Sequence, residues 1–208
     1  MSKINSFKNL LNNENPSIFC LQETKIKKPN QIKTDSSRRF TLYELHRKNS
    51  NGGGLCIGVN KDLKSVWVSQ GDDDIEALTV EVWADDVPVR ILNAYGPQLG
   101  DCQERKQKFW QFLEREVANA DMVGVGIVLQ MDSNCHLGKE LIENYVNPQN
   151  ANGKMFAHFL ERNQHLTLIN SLSLCEGFIT RMRKTSKVVE ESILDVFITC
   201  NKIIPYVQ

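Results

Sequence analysis

Several apolar runs of this chain end in polar residues that could bind a metal ion or a phosphate group. The run 17–22 is followed by Glu23, the run 89–94 by Tyr95, and the run 123–131 by Asp132 with Asn134 two residues later. Another apolar run, 192–199, contains Asp195. Strand ends gathered at one edge of a sheet form a site, so we expect these side chains to share a pocket.

The chemistry available to such a set is phosphoryl chemistry. Residues two apart in a strand point to one face, so Asp132 and Asn134 can present a carboxylate and an amide together. If Glu23 lies nearby, carboxylates about 4 Å apart repel by roughly 4 kcal/mol at an effective dielectric of 20, and a divalent cation removes that repulsion. Ligation by a few oxygen atoms suits Mg²⁺ or Mn²⁺, which can polarise a phosphoryl oxygen. Asp132 would then take a proton from the attacking water, while Asn134 and Tyr95 would donate hydrogen bonds to the charge on phosphorus.

Each of these residues also has an ordinary structural explanation. A Glu after a strand is usually a solvated loop residue, Asp-Ser-Asn is a common turn, and Tyr-Gly-Pro is a common strand exit. The functional interpretation therefore rests on the residues as a set.

The composition is that of one soluble globular domain. The chain has 208 residues with 25 basic and 25 acidic side chains, so no global basic field exists to hold nucleic acid. Local basic loops at 25–28 and 181–187 are the candidate DNA or RNA contacts, although a solvated loop explains each one alone. The six cysteines show no metal-ligand spacing, which indicates reduced thiols in an intracellular protein of the nucleus or cytoplasm. No apolar stretch is long enough to predict a signal peptide or a membrane span.

Hydrophobic periodicity predicts the elements that would position these residues. It indicates strands over 17–23, 40–45, 55–59, 75–83, 87–95, 123–132, 166–169 and 193–199, with hairpins joining 40–45 to 55–59 and 75–83 to 87–95. Glycines 52–54 are interpreted as a simple loop, because no helix follows them. Helices are predicted over 5–12, after a cap at Asp101 with Phe109, Trp110, Leu113 and Val117 buried, and from Asn152 or Gly153. This mixture indicates an α/β protein with two sheets packed face to face and helices outside.

The chain resembles the endonuclease/exonuclease/phosphatase superfamily, specifically the endonuclease region of non-LTR retrotransposon polyproteins. The matching segments are Leu21-Gln-Glu-Thr24 for the LQET motif, Asn93-Ala-Tyr-Gly-Pro97 for the Tyr-x-Pro signature, Asp132-Ser-Asn134 for the D-x-N of GDFN, and Ser192-Ile-Leu-Asp195 for the S-x-I-D segment. The resemblance implies a four-layered α/β sandwich. It also implies that Glu23 holds the metal, Tyr95 contacts the scissile phosphate, Asp132 acts on water, Asn134 stabilises the transition state and Asp195 orients a catalytic histidine.

The sequence also departs from the family pattern. The family opens with a strand carrying a metal-binding asparagine and closes with a Ser-Asp-His segment, and neither is found in this sequence. Gln98 stands where relatives often have a phosphate-binding asparagine, and Gln130-Met131 replaces the Gly before Asp132. We therefore expect residues 1–208 to form a single incomplete domain that lacks the first and last family strands.

Three hypotheses follow for the function. The first is a Mg²⁺- or Mn²⁺-dependent DNA endonuclease of the retrotransposon type, impaired in this chain. The second is a catalytically inactive nucleic-acid-binding or scaffold remnant of the same fold. The third is a phosphatase of phosphoinositides or nucleotides, whose additional motifs the sequence does not resemble.

Overall fold

The computed structural model describes residues 3–26, 32, 36–46, 53–143, 145, 147–172, 180–184 and 189–206. The chain divides into two compact units, Met1–Asn93 and Ala94–Gln208. Helices and strands are mixed along both units, so the α/β class is confirmed. The expectation of one domain over 1–208 stays a prediction.

The first unit contains one helix and two groups of strands among its described residues. These elements are α1 (Lys3–Glu14), β1 (Ile18–Leu21), a 3₁₀ turn at Ser36–Arg39, β2 (Phe40–Leu45), β3 (Leu55–Asn60), β4 (Lys64–Gln70), β5 (Glu76–Ala84) and β6 (Val87–Tyr95), whose last two residues belong to the second unit. Strands β1, β3 and β2 form an antiparallel sheet in that order, and β4, β5 and β6 are neighbours in another sheet. Strands β2 and β3 lie against β5, so two sheets pack together within this unit, as predicted.

The centre of the three-stranded sheet is β3, and it is covered on both faces. Leu55, Ile57 and Val59 lie on one face and Cys56 on the other, and all four are fully buried, which explains why this strand is an unbroken apolar run and does not alternate. At Gly58 a Cβ atom would lie 2.2 Å from the Phe19 ring, so only glycine fits beneath that ring.

Aromatic contacts hold α1 on this sheet. The Phe7 and Phe19 ring centroids lie 5.2 Å apart and those of Phe19 and Phe40 lie 4.9 Å apart, both edge to face. Leu11 is fully buried, and its carbonyl accepts a hydrogen bond from the Arg39 guanidinium near the end of the helix. These contacts explain why the weakly amphipathic helix predicted over 5–12 forms.

The two predicted hairpins are present. Strands β2 and β3 pair antiparallel from Phe40 opposite Asn60 to Leu45 opposite Leu55, and the turn between them includes residues 47–52, which lie outside the described residues. Between β5 and β6, Asp85 and Asp86 both have left-handed backbone, with φ of 48° and 65°, as a type I′ turn requires.

The sequence pattern did not predict strand β4, because its apolar residues do not mark a buried face. Val66 is 47% exposed and Trp67 is 38% exposed, and the pairing with β5 is interrupted between Trp67 and Ser69. An exposed strand with a bulge lacks the alternation by which strands are recognised.

The second unit contains a helix pair and an antiparallel sheet among its described residues. Its elements are α2 (Gln103–Met122), β7 (Gly126–Asp132), α3 (Ala151–Arg162), β8 (Leu166–Leu168), a 3₁₀ turn at Ile169–Ser171, β9 (Arg181–Lys184), β10 (Val189–Ser192), β11 (Asp195–Cys200) and a 3₁₀ turn at Ile204–Tyr206. The order β7, β11, β8 is antiparallel throughout, and β9 pairs with β10.

The predicted apolar stripe of α2 is confirmed. Trp110 packs against Phe109 on its own helix and against Phe156 and Phe159 of α3, with ring centroids 5.2 to 5.8 Å apart. Phe109, Trp110, Leu113 and Val117 are all buried. This aromatic cluster fixes α3 against α2.

Three local predictions were wrong. The N-cap of α2 is Cys102 and not Asp101, because the Asp101 carboxylate instead accepts hydrogen bonds from the Gln98 amide at 2.7 Å and from Arg105 at 2.9 Å. The N-cap of α3 is Asn150, ahead of the predicted start. The basic segment beginning at 181 forms β9 where a loop was predicted, and Lys187 lies outside the described residues.

The structure describes five of the six cysteines, and their reduced state in the cell stays a prediction. Five cysteines are free thiols, Cys20, Cys56, Cys102, Cys135 and Cys200, while Cys175 lies outside the described residues. Within the described ranges, no helix combines the length and the apolar character needed to cross a bilayer.

The glycine segment before β3 does more than turn the chain. The Gly54 carbonyl accepts a hydrogen bond from the Thr24 amide at 3.1 Å, and the Gly53 carbonyl accepts one from the Lys25 amide at 2.8 Å. The Gly54 amide in turn donates to the Glu76 carboxylate at 2.8 Å. These bonds fix the backbone on the C-terminal side of Glu23.

We predict that Gly54→Ala destabilises the protein. Gly54 has a φ of +91°, and a Cβ there would lie 2.7 Å from the Thr24 hydroxyl, so backbone strain and a steric clash add together. The free energy of unfolding should fall by about 2–3 kcal/mol, measured by urea denaturation.

Two other glycines provide matched controls for this substitution. Gly124 has a φ of +74° with open space around it, so Gly124→Ala should cost only the backbone strain, about 1 kcal/mol. Gly100→Ala, in open space without that φ, should be close to neutral. Equal effects at positions 54 and 100 would contradict this account of the Gly54 segment.

Candidate active site

Two of the predicted carboxylates face each other in the second unit. Asp132 is the last residue of β7 and Asp195 is the first residue of β11, and the two residues are directly opposite in the antiparallel pairing. Side chains opposite each other in such a ladder lie on one face with Cβ atoms roughly 5 Å apart. Asp132 is half-buried. Asp195 is exposed as a residue, although the surroundings of its carboxyl group are partly buried.

Burial and hydrogen bonding act in opposite directions on Asp195. Partial burial raises the pKa of its carboxyl group, while hydrogen bonds from the Thr180 hydroxyl and from its own amide lower it, and the burial effect is the larger. The Thr180 oxygen also accepts hydrogen bonds from the Leu194 and Asp195 amides, at 2.9 and 3.0 Å. Asp195 therefore sits in a defined polar environment opposite Asp132.

Asn134 is held beside Asp132 by a local turn. Its amide donates to the Asp132 carboxylate at 3.1 Å, its φ is 49°, and its side-chain nitrogen donates to the Gly96 carbonyl at 2.9 Å. The side-chain nitrogen carries two hydrogens, so the bond to Gly96 uses only one of its two donor positions.

Tyr95 reaches the same region because Gly96 follows it. The Gly96 amide donates to the Asp132 carbonyl at 2.7 Å, and a Cβ on Gly96 would lie 2.5 Å from the Ser133 carbonyl oxygen. Only glycine allows this approach, which joins the end of β6 to the turn after β7. The structure thus brings the backbone of Tyr95, Asp132 and Asn134 together.

Ser133 is the buried member of the Asp-Ser-Asn segment. It is fully buried, and both its amide and its hydroxyl donate to the Leu194 carbonyl, at 2.6 and 2.8 Å. This anchor ties the turn after β7 to the residue before Asp195. Sequence reasoning gave Ser133 no role, since a serine in a turn gives no sign of burial.

The neighbouring cysteine is not a candidate nucleophile. Burial raises the pKa of the Cys135 thiol to about 12, so the reactive thiolate is not formed at neutral pH. Its Sγ donates to the Ser133 carbonyl at 3.1 Å, which is a structural contact.

Glu23 lies in the first unit, and its place relative to Asp132 stays a prediction. The residues on either side of it are fixed, since Gln22 donates to the Asn93 side-chain oxygen at 2.6 Å and Thr24 donates to Gly54. Asn93 is fully buried and donates to the carbonyls of Leu21 and Cys56. Glu23 itself is exposed, with a φ of 49°.

Asn152 also belongs to this region, although the sequence indicated only that a helix starts there. It is fully buried at the beginning of α3, and its side-chain nitrogen donates to the Pro97 carbonyl at 2.7 Å and to the Asn134 carbonyl at 3.3 Å. An Asn followed by Gly after a cap-forming Asn is the available sequence signal, and it indicates only a helix N-terminus.

The remaining predicted binding features are only partly described. Lys25 is exposed, but residues 27 and 28 lie outside the described ranges, as does Lys187. Among the described residues, no group of three or more His, Cys, Asp or Glu side chains is placed to hold a metal ion.

Comparison with known proteins identifies the fold. No protein-family model matches the chain, and no curated protein matches it. A 3'-5' exonuclease from Neisseria meningitidis aligns with a TM-score of 0.69 and 17% identity, over 99% of this chain and 85% of the exonuclease chain. The endonuclease domain of TRAS1, a telomere-specific non-LTR retrotransposon, aligns with a TM-score of 0.67 and 12% identity, over 98% and 83% of the two chains.

A third solved structure contains a nucleic acid. TDP2 from D. rerio, complexed with a single-strand DNA product, aligns with a TM-score of 0.61 and 13% identity, over 95% of this chain and 76% of the TDP2 chain. All three proteins are of one superfamily, and at these identities the likeness concerns the fold. The chain has the fold of the endonuclease/exonuclease/phosphatase superfamily, as its motifs predicted.

Proposed function

We propose that this chain is a divalent-metal-dependent phosphodiesterase that nicks DNA, as an endonuclease of the retrotransposon type. The observation that carries the proposal is the pairing of Asp132 with Asp195 across β7 and β11, with Asn134 fixed next to Asp132. A carboxylate and an amide held rigidly at one edge of a sheet can act on a water molecule and on a phosphate group.

Each residue has a proposed role that its surroundings support. Asp132 accepts a proton from the attacking water, and its hydrogen bond from the Asn134 amide limits its rotation. Asn134 donates to the developing charge on phosphorus with its second side-chain hydrogen, and Tyr95 donates to the phosphate from the end of β6. Asp195 lies where it adds negative charge beside Asp132, and a histidine for it to orient is not part of this proposal.

Mg²⁺ or Mn²⁺ is the proposed cofactor. Carboxylate oxygens are the ligands these hard cations prefer, and Mg²⁺ is commonly held by one or two carboxylates and several waters. We assign Glu23 as its protein ligand, on the resemblance of its motif and on the fixed backbone around it. When bound, the ion would neutralise carboxylate charge and polarise a phosphoryl oxygen.

DNA is the proposed partner, with RNA as a second possibility. Among the proteins of the same fold, TDP2 is complexed with a single-strand DNA product and the TRAS1 domain is an endonuclease. Because the net charge of this chain is zero, we assign the contact to local basic residues such as the exposed Lys25.

A second candidate is a binding module without catalysis. The balance of 25 basic and 25 acidic residues and the unusual Gln130-Met131 before Asp132 favour it. DNA binding that weakens with salt, without cleavage in the presence of Mg²⁺ or Mn²⁺, would support this candidate over the first.

We predict that Asp132→Asn abolishes nicking of supercoiled plasmid in the presence of Mg²⁺. The asparagine oxygen can still accept the Asn134 hydrogen bond, so the turn is retained while the proton acceptor is lost. The rate should fall about 10²- to 10⁴-fold. Asp62→Asn, an exposed carboxylate in the first unit, is the control and should nick like the unmodified protein. Undiminished nicking by Asp132→Asn would contradict the proposed function.

We predict that Glu23→Gln selectively weakens Mg²⁺ binding. Loss of one carboxylate charge should raise the Mg²⁺ concentration for half-maximal nicking by about tenfold or more, with recovery at high Mg²⁺. EDTA should stop nicking by both proteins, and Glu14→Gln on the exposed face of α1 is the matched control. An unchanged Mg²⁺ titration would remove Glu23 from the metal site.

We predict that Asp195→Asn stabilises the protein at neutral pH. Burial raises the pKa of Asp195 in the folded state. At a pH between the ordinary and the raised pKa, the native state therefore binds more protons than the unfolded state. The free energy of unfolding falls as the pH rises through that window. Above the window the ionised carboxylate is a constant cost that the amide avoids.

Urea unfolding at two pH values tests this linkage. At pH 7 the free energy of unfolding should rise by less than about 0.5 kcal/mol, since solvent screens an exposed carboxylate. The gain should shrink as the pH falls through the window and vanish below the ordinary carboxyl pKa of about 3.9, where Asp195 is protonated in both states. Asp62→Asn controls for a general loss of negative charge. A gain that is the same at both pH values would contradict the linkage.

A further inference from the structure

We propose that Asn152 is a positioning residue that holds the loop after β6 against the loop after β7, and so sets the geometry of Tyr95 and Asn134. The inference rests on the proposed function and extends it to a residue on α3. Asn152 touches neither substrate nor metal in this proposal, because it is fully buried. It acts through the two loops that it binds.

The side-chain nitrogen of Asn152 uses both of its hydrogens. One is donated to the Pro97 carbonyl at 2.7 Å, two residues after Tyr95, and the other to the Asn134 carbonyl at 3.3 Å. The Asn134 side chain itself donates to the Gly96 carbonyl at 2.9 Å. Together these three bonds connect the two loops and α3 in a closed ring.

The start of α3 is built to bring Asn152 to this place. Asn150 caps the helix by accepting from the Gly153 amide at 2.8 Å, and its own amide donates to the His136 carbonyl at 3.3 Å. A Cβ on Gly153 would lie 2.0 Å from the His136 carbonyl oxygen, so the helix can approach this loop only with glycine there. The N-terminus of α3 therefore packs directly against the segment that follows Asn134.

The side-chain oxygen of Asn152 is in an unusual position for a buried polar atom. It is buried and has no hydrogen-bond partner among the described residues. Buried polar atoms are nearly always paired, so this exception needs an explanation. We infer that asparagine is used for its two donors, which reach two carbonyls at once, although its acceptor is left unpaired.

Loss of the Asn152 hydrogen bonds should change the positions of Tyr95 and Asn134. Without Asn152 the loop after β6 and the loop after β7 are still linked through Gly96, but the next residues of each loop are no longer held together. Displacements of about 1 Å at reacting groups can lower rates about 100-fold. Loss of Asn152 should therefore act on turnover more than on substrate binding.

The test compares Asn152→Leu with Asn163→Leu. Asn163 ends the same helix and donates its side-chain amide to the Phe159 carbonyl at 2.8 Å, so it is a matched asparagine with a purely helical contact. For Asn152→Leu we expect kcat for plasmid nicking to fall about 10- to 100-fold, with KM changed less than threefold and the shape of the pH profile retained. Asn163→Leu should leave kcat and KM unchanged. Equal effects of the two variants would overturn the proposal.

A second readout does not depend on turnover. The side-chain NH₂ resonances of Asn134 in ¹⁵N-labelled protein should shift and exchange faster with solvent in Asn152→Leu, and not in Asn163→Leu. If Asn152→Leu does not fold, Asn152→Ser, which keeps one donor, should give an intermediate loss of kcat and an intermediate shift. Unchanged Asn134 resonances in the folded Asn152 variant would overturn the positioning role. Absence of nicking by the unmodified protein would overturn the proposed function, and the resonances would still decide whether Asn152 holds Asn134.

Discussion

The register between β7 and β11 is the constraint on which the candidate site depends. Met131 and Val196 pair on a buried face, which forces Asp132 and Asp195 to pair on the adjacent position. A slip of one residue would put the apolar side chains into solvent and the carboxylates into the core. Burying each large apolar side chain is worth about 1.5–3 kcal/mol, whereas opposed like charges in a ladder cost under about 1 kcal/mol. Apolar burial therefore wins, and it holds two carboxylates together that would otherwise separate.

Backbone strain occurs at residues for which chemistry is proposed. Glu23 and Asn134 both have a φ of 49°, a left-handed conformation that costs a side-chain-bearing residue about 1 kcal/mol. Asparagine tolerates this conformation, and the Asp132 carboxylate and the Gly96 carbonyl hold Asn134 in it. Glutamate tolerates it less well, so Glu23 depends on the bonds made by the residues on either side of it. In each unit the surrounding hydrogen bonds maintain a conformation that the residue alone would not prefer.

Buried polar side chains, each bound to backbone carbonyls, connect the functional loops. Asn93 joins the end of β1 to β3, Ser133 joins the turn after β7 to Leu194, and Asn152 joins the loops after β6 and β7. All three are fully buried. An apolar residue could fill the same space, but it would leave the carbonyls unpaired, and that costs about 1–3 kcal/mol for each buried group. These side chains therefore determine where the loops lie, while the apolar core determines that the units fold.

The sequence alone determined the local features of this protein. The apolar runs predicted most strands, the glycine and aspartate turns predicted two hairpins, and the short motifs around Glu23, Tyr95, Asp132 and Asp195 predicted the superfamily fold. Only the tertiary structure decided that Asp195 lies opposite Asp132, that the Gly54 segment supports the chain after Glu23, and that Asn152 binds two loops at once. The reason is physical: periodicity and turn preference depend on neighbours along the chain, whereas strand register and buried hydrogen bonds depend on residues tens of positions apart. The strand β4 was missed for the same reason, since its partner β5 stabilises it and its own exposed residues do not mark it.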